Sequence, residues 1–489
     1  MPALSKLLSC AILIGLSVSL PALADDSERI QQLEQRLEEQ RAIMERQQQM
    51  LETLRTEVER LKGEPLTIST PPSSDPSAGP KPATIASPPD QTAANQTSQD
   101  TIIYASEKKG ALQLYGHLQL DVIHDFNRVD PDYAATLRPS AIPTVDGSFG
   151  QDGETRLSVK QTQLGLKGSL FTPVGEVNSW FEFDMFGTGS DTGQTTFNLR
   201  HAWVEIGRLG FGQTSSTFMD ISIFPNTIDW WGPAGMVFNR NPQVRYTWTG
   251  KSSGSGTLNG GGNELAIALE QPNASFNTGI FGELSPVIDE RASTRTEYPD
   301  LTAHWRSVHD WGHLQLAGVL RKLEFETICP GDPASCLSNN RPKDDETGWG
   351  VNFTGVLNTF GHDQLKFGVV YGEGIASFMN DGGVNLAPED NAIEAVPILG
   401  TTLYYDRYWS PRWSSSLGVS VNDADVRNQQ ADSEFDRGSY ASVNLLYTPY
   451  PDFIIGLEAL YGEHKDVGGR TGEDFRTQLT FKHKFSTGF

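Results

Sequence analysis

The chain has 489 residues, with 61 acidic and 38 basic side chains, a net charge of −23 at neutral pH, and 37% apolar residues. This length exceeds one ordinary globular core, and the acidic balance speaks against nucleic-acid binding, which needs a basic footprint. No run of about 20 apolar residues, the length of a helical membrane span, follows residue 24. Strands that alternate apolar and polar residues escape that test, because they average to mild hydrophilicity.

Residues 1–24 hold one basic residue (Lys6), an apolar run over 7–20 and Ala22-Leu23-Ala24, the pattern of a secretory signal cleaved before Asp25. Residues 25–62 read as a coiled coil. With Ile30 at position a, the a series is Ile30, Leu37, Met44, Leu51 and Val58, and the d series is Leu33, Gln40, Gln47, Leu54 and Leu61. At ~1.5 Å per residue the helix is roughly 48 Å long, enough to reach well into a periplasm. The heptads leave the number of helices open. Residues 63–110 are rich in Pro, Ser, Thr and Ala, as in Thr70-Pro71-Pro72 and Ser87-Pro88-Pro89. Such a segment cannot build a core and reads as an extended linker.

Over 111–489 the period becomes two. Leu112, Leu114, Leu118 and Leu120 oppose Gln113, Tyr115, His117 and Gln119, and Trp413, Leu417, Val419 and Val421 oppose Ser414, Ser416, Ser420 and Asn422. In the last stretch Phe475, Thr477, Leu479, Phe481, His483, Phe485, Thr487 and Phe489 share one face, and Arg476, Gln478, Thr480, Lys482, Lys484 and Ser486 the other. Successive side chains in a strand face opposite sides. In an outer-membrane barrel the apolar set meets lipid and the polar set a wet lumen. A terminal aromatic strand of this kind resembles the one that the bacterial barrel-assembly machinery recognises.

Sixteen strands are expected, near 111–125, 154–170, 176–186, 195–208, 211–216, 240–248, 264–270, 301–307, 312–326, 346–357, 365–373, 396–408, 412–422, 438–447, 453–463 and 473–489. Short turns such as 172–175 and 409–412 alternate with long loops such as 126–153, 217–239 and 374–395, and aromatics flank the short turns as in an interfacial girdle. The fold class is an all-β transmembrane barrel of antiparallel strands with an N-terminal α-helical coiled coil. The even count puts both barrel ends on the periplasmic rim. Barrels of about 16–18 strands hold an aqueous channel. The expected location is a Gram-negative outer membrane, with the lipid bilayer and lipopolysaccharide around the barrel.

Cys10 falls in the signal. Cys329 and Cys336 close the short loop Cys-Pro-Gly-Asp-Pro-Ala-Ser-Cys, read as a disulfide, which needs an oxidising compartment. No further ligands stand nearby for a metal. The nine histidines are scattered without a His-Glu-x-x-His, no catalytic arrangement or cofactor motif emerges, and no enzyme is expected.

Cationic side chains stand out on the expected lumen faces: Arg156 and Lys160 on the second strand, Arg200 on the fourth, Arg240 and Arg245 on the sixth, and Arg476, Lys482 and Lys484 on the last. Closure makes the first and last strands neighbours, so these positions form a basic arc on one wall. Such an arc concentrates counter-ions, selects anions, and offers Arg for bidentate contact with carboxylates. Lumen acids such as Glu182, Asp184 and Glu458 are candidates to balance it. Residues 217–239 include Asp220, Asp229, Trp230 and Trp231 and are too apolar for a free loop. The segment is expected to fold into the pore as a constriction, with a subunit contact as the alternative.

Several motifs resemble a known family, the DcaP-like porins of Gram-negative bacteria: Phe181-Glu182-Phe183-Asp184-Met185-Phe186-Gly187, Arg200-His201-Ala202-Trp203, Phe218-Met219-Asp220, and Asp229-Trp230-Trp231-Gly232-Pro233 running on to Arg240-Asn241-Pro242-Gln243-Val244-Arg245-Tyr246. The resemblance implies a homotrimer of sixteen-stranded barrels with a periplasmic coiled coil, passing small anionic solutes such as dicarboxylates, with Arg200, Arg240 and Arg245 as pore cations. The expected function is an anion-preferring diffusion channel for small organic acids. A phosphate or polyphosphate porin, or a structural anchor acting through the coil, are the alternatives.

Overall fold

The computed structural model describes residues 110–249, 262–284, 292–328, 343–390 and 392–488. The expected signal, coiled coil, disulfide Cys329–Cys336 and linker residues 63–109 lie outside them. The described residues form a closed barrel of sixteen antiparallel strands. The first eight are β1 (Gly110–Asp125), β2 (Glu154–Ser158 and Gln163–Thr172), β3 (Gly175–Phe186), β4 (Thr195–Ile206), β5 (Leu209–Ser215), β6 (Arg240–Thr249), β7 (Gly262–Glu270) and β8 (Ala292–Arg295 and Asp300–His309). The second eight are β9 (Gly312–Thr327), β10 (Lys343–Asn358), β11 (Gln364–Glu373), β12 (Pro397–Ser410), β13 (Trp413–Ala424), β14 (Phe435–Tyr450), β15 (Phe453–Asp466) and β16 (Thr471–Gly488). β1 pairs with β16 from Gln113↔Gly488 to Asp125↔Arg476, which closes the sheet.

Two strands are interrupted. β1 pairs with both halves of β2, and β9 pairs with both halves of β8. The break in β2 is a turn closed by Thr162 N–H donating to the Val159 carbonyl at 2.9 Å. It shifts the alternation by one. Arg156 and Ser158 face inward before it, and Gln163, Gly165 and Lys167 after it, while Leu157, Leu166 and Leu170 are exposed outward. A register slip of one residue exchanges the two faces of a strand.

Elsewhere the period of two holds over whole strands. On β16, Asp474, Arg476, Gln478 and Thr480 are buried inside, and Phe475 and Phe481 are exposed outside. On β13, Leu417 and Val419 point out, and Ser416 and Ser420 point in. Stacked aromatic pairs sit at the short turns, Trp413 on Tyr447 at 4.5 Å and Tyr450 on Phe453 at 5.2 Å between ring centroids. They suit the girdle expected there.

The inner face is less wet than its polarity implies. Three loops fold into the lumen: residues 126–153, residues 216–239, and residues 374–390 with 392–396. Phe218, Val237, Ile375, Phe378 and Ile398 form one buried cluster, and Leu137, Ile142, Ala234, Tyr404, Tyr440 and Leu460 another. At Gly235 the second loop touches the barrel wall. Its N–H donates to Ser420 Oγ at 2.8 Å, and a Cβ there would run into the Val421 carbonyl. Gly235→Val is therefore expected to lift the loop from β12 and β13. Circular dichroism should stay that of the parent barrel, while single-channel recordings show altered and noisier conductance.

Candidate functional site

The loop between β5 and β6, expected from its apolar content to form a constriction, folds into the lumen. It packs inside its own barrel, not outward against a neighbour. It starts at Ser216 and Thr217, whose Oγ and N–H donate to the buried Glu270 of β7 at 3.0 and 2.9 Å. Asn352 of β10 and Gln315 of β9 donate to the carbonyls of Phe218 and Met219. The loop then follows the wall. Lys366 Nζ donates to the Phe224 carbonyl at 2.8 Å, Asn444 Nδ2 to the Asn226 carbonyl at 2.7 Å, and Ile228 N–H to Glu458 at 2.8 Å.

Asp220 is the first of two carboxylates that hold this path. It accepts from Arg306 at 2.7 Å, His313 at 2.8 Å and Thr354 Oγ1 at 2.9 Å, and so ties the loop to β8, β9 and β10. Asp229 is the second. One oxygen accepts from Thr136 Oγ1 and Leu137 N–H at 2.9 and 3.0 Å, the other from Gly232 N–H and Tyr440 OH, both at 3.2 Å. It joins the loop to residues 126–153. Both carboxylates are buried and fully engaged, so neither presents a free negative charge to a solute.

The loop's hydrogen bonds fall mainly on β7 to β15. On the opposite wall it reaches Gln161, Asp184 and Gln478. Trp230 makes the crossing to β3: its indole stacks on Phe186 at 3.9 Å and its Nε1 donates to Asp184 at 3.0 Å. Trp231 donates to the Asn380 carbonyl at 2.8 Å and receives the Arg138 guanidinium over its ring at 4.6 Å. Arg138 is itself neutralised by Asp381. These residues, with Phe238 and Asn239, line a cavity of about 530 Å³ on the long-loop side.

The wall that the loop leaves bare carries cations. Arg245 lies 4.7 Å over Trp203, Arg240 lies 4.7 Å over Phe238, and Lys167 lies 5.1 and 5.0 Å over Tyr115 and Trp180. Trp180 also stacks on His201 at 3.5 Å. Lys167, Trp180 and Trp203 face one another in register across β2, β3 and β4, and Gly210, in register with Arg245, makes room for the Trp203 ring. Among the described residues Lys167, Arg240, Arg245 and Lys482 have no carboxylate at ion-pair distance. A cation over an aromatic face gains about 0.5–2 kcal/mol and keeps its charge available to a passing ion.

With this geometry in view, residues 90–264 match the family described as DcaP outer membrane protein. Over that stretch the chain resembles the DcaP outer membrane proteins. Among solved structures it is similar to the outer membrane channel DcaP of Acinetobacter baumannii, 22% identical with a TM-score of 0.63, over 79% of this chain and 100% of that chain. It is also matched by the anion-selective porin from Comamonas acidovorans, 10% identical with a TM-score of 0.45, over 77% of this chain and 100% of that chain. No curated protein sequence matches. At 22% identity the Acinetobacter baumannii structure speaks to the fold.

Not all the cations singled out in the sequence stand free. Arg200 holds Glu182 and Asp184, each at 2.8 Å. Arg156 pairs with Glu154 at 2.7 Å. Lys160 donates to the Gly193 carbonyl. Arg476 is fully buried between Asp125 and the Ala134 carbonyl. Among the described residues Arg240, Arg245, Lys482 and Lys484 are the ones without such partners. Lys167 escaped notice because the turn at 159–162 moves it to the inner face. Arg200 and His201 are adjacent yet both face inward. The β3 pairing skips from His201 to Leu199, so Arg200 is the extra residue of a β-bulge, a device that re-aims side chains beside functional sites.

The Asp220 latch supports a direct test. Asp220→Ala leaves the partly buried Arg306 without its counter-ion, at a cost of about 1–3 kcal/mol. We expect a lowered thermal midpoint for the detergent-solubilised barrel and a larger conductance step in planar bilayers, as the loop leaves β8 to β10.

Proposed function

We propose that this channel admits small organic anions, dicarboxylates among them, by passive diffusion along the wall of β2 to β6 and β16, and that it works as a homotrimer in the outer membrane. The observation that carries the reading is the asymmetry of free charge. On this wall Lys167, Arg240, Arg245 and Lys482 lack carboxylate partners among the described residues, whereas the acids of the constriction loop are consumed in holding it. A wall of one sign between low-dielectric surfaces raises the local concentration of counter-ions, and exposed Arg and Lys rings favour anions. Cations spaced over several strands suit a solute with two carboxylates, because one end is held while the other searches for the next site. Each grip must stay weak and multiple for conduction to proceed.

Reversal potentials in a planar bilayer under a salt gradient test this. The parent protein should prefer chloride over potassium. The triple variant Arg240→Gln, Arg245→Gln, Lys482→Gln should lose most of that preference. Arg200→Gln should lower it too, since it exposes Glu182 and Asp184 without their counter-charge. Potassium preference in the parent, unchanged by these substitutions, would overturn the reading. Stronger block of chloride current by inorganic phosphate than by succinate would favour a phosphate channel instead.

A further inference from the structure

The three inward loops meet around one space, the cavity of about 530 Å³ on the long-loop side. Part of its lining is aromatic: Trp230, Trp231 and Phe238 reach it, each half-buried. Sites for small molecules span about 300–1,000 Å³ and join such a surface to a few placed polar groups.

Cations stand around these rings. Arg138 lies 4.6 Å over both Tyr133 and Trp231. Arg240 lies 4.7 Å over Phe238. Lys160 lies 5.5 Å over Phe186, the ring on which Trp230 stacks. The one carboxylate in the lining, Asp381, is buried and spent. It accepts from Arg138 Nε at 2.7 Å and from Ser140 N–H at 2.8 Å. The Arg138 side chain still keeps 24% of its surface exposed, and Arg240 Nε is buried with no hydrogen-bond partner among the described residues. This surround favours a solute that carries negative charge.

Amides and hydroxyls make up most of the remaining lining, Asn239 and Asn380 among them. Both amide nitrogens are turned to the protein. Asn380 Nδ2 donates to the carbonyls of Trp231 and Pro233 at 2.8 and 2.9 Å, and Asn239 Nδ2 to the Ser377 carbonyl at 3.1 Å. Each side chain is thereby left with its oxygen as an acceptor. An acceptor calls for a donor, which neither a carboxylate nor a bare hydrocarbon ring supplies. A hydroxyl does.

We propose that this cavity binds a sugar acid in its ring form, a hexuronate. The C–H face of the ring lies against Trp230 and Trp231. Ring hydroxyls donate to the Asn239 and Asn380 oxygens, and the carboxylate is drawn to Arg138 and Arg240. A plain aromatic acid would leave the amide oxygens unpaired, at a cost of about 1–3 kcal/mol for a buried acceptor. An open-chain acid has the charge but no flat face for the indoles. The inference rests on the anion-channel reading above and adds a class of solute and the place that recognises it.

Block of chloride current in a planar bilayer tests this. D-glucuronate is compared with D-gluconate, which has the same charge but no ring, and with benzoate and succinate. Glucuronate is expected to reach half-block at a concentration several-fold below those of gluconate and benzoate. In Trp231→Leu, and separately in Asn239→Ala, the ratio of the glucuronate value to the succinate value should rise several-fold. The parent comparison stands even where a variant fails to assemble. Equal block by gluconate, or stronger block by benzoate, overturns the sugar-acid assignment, while chloride preference and succinate block leave the anion channel in place. A glucuronate preference that survives both substitutions overturns the choice of cavity. No chloride preference, with no block by any of the acids, overturns this inference and the anion reading together.

Discussion

The rest of the structure depends on main-chain hydrogen bonding in a medium that supplies none. A sheet that spans hydrocarbon must leave no edge, and here the first and last strands meet over the register from Gln113↔Gly488 to Asp125↔Arg476. Once that ring is closed, the two faces of every strand have different solvents. Side-chain alternation follows from closure, as does the contrast between exposed Leu417 and buried Ser416 on one strand. Among the described residues the upper edge of β4 has no strand beside it, and it is also where the chain leaves the wall and enters the lumen. Pore formation and an incomplete wall are two consequences of one excursion.

Inside the ring the decisive interactions are charged and buried. Asp220, Asp229, Glu270 and Glu458 each accept several hydrogen bonds from the loop or for it. A buried pair of this kind adds little net stability, because desolvation offsets the attraction, but losing one partner is costly. Such contacts select one position for the loop. They also bury these four acids between the loop and the barrel wall. Lys167, Arg240 and Arg245 are then left facing the space that remains, held over aromatic rings rather than by carboxylates.

Much of this was legible in residue order. All sixteen strands could be placed by a period of two and by turn residues, because outward side chains have only lipid to meet. The constriction loop could be recognised from its apolar content between two strands. Lumen cations could be named where alternation was unbroken, as for Arg245 and Lys482. The misses fall where alternation breaks. The turn at 159–162 reverses the faces of β2 and brings Lys167 inside, and the bulge at Arg200 turns two adjacent residues the same way. Neither break has a marker such as proline at its site, so a count along the chain carries the wrong parity past it.

By itself the sequence determined the solvent of each side chain, because hydrophobic periodicity answers to the two media on either side of a sheet and to nothing more distant. It thereby determined the barrel, its strand number and the placement of charge toward the lumen. Tertiary structure alone decided which of those charges are free. Whether Arg200 or Arg476 meets a carboxylate depends on which wall strands pair and in what register, and where the inward loops come to rest depends on contacts between residues hundreds of positions apart, such as Asp229 with Tyr440. No local pattern records such a pairing, since its energy exists only once the ring has closed around the loops.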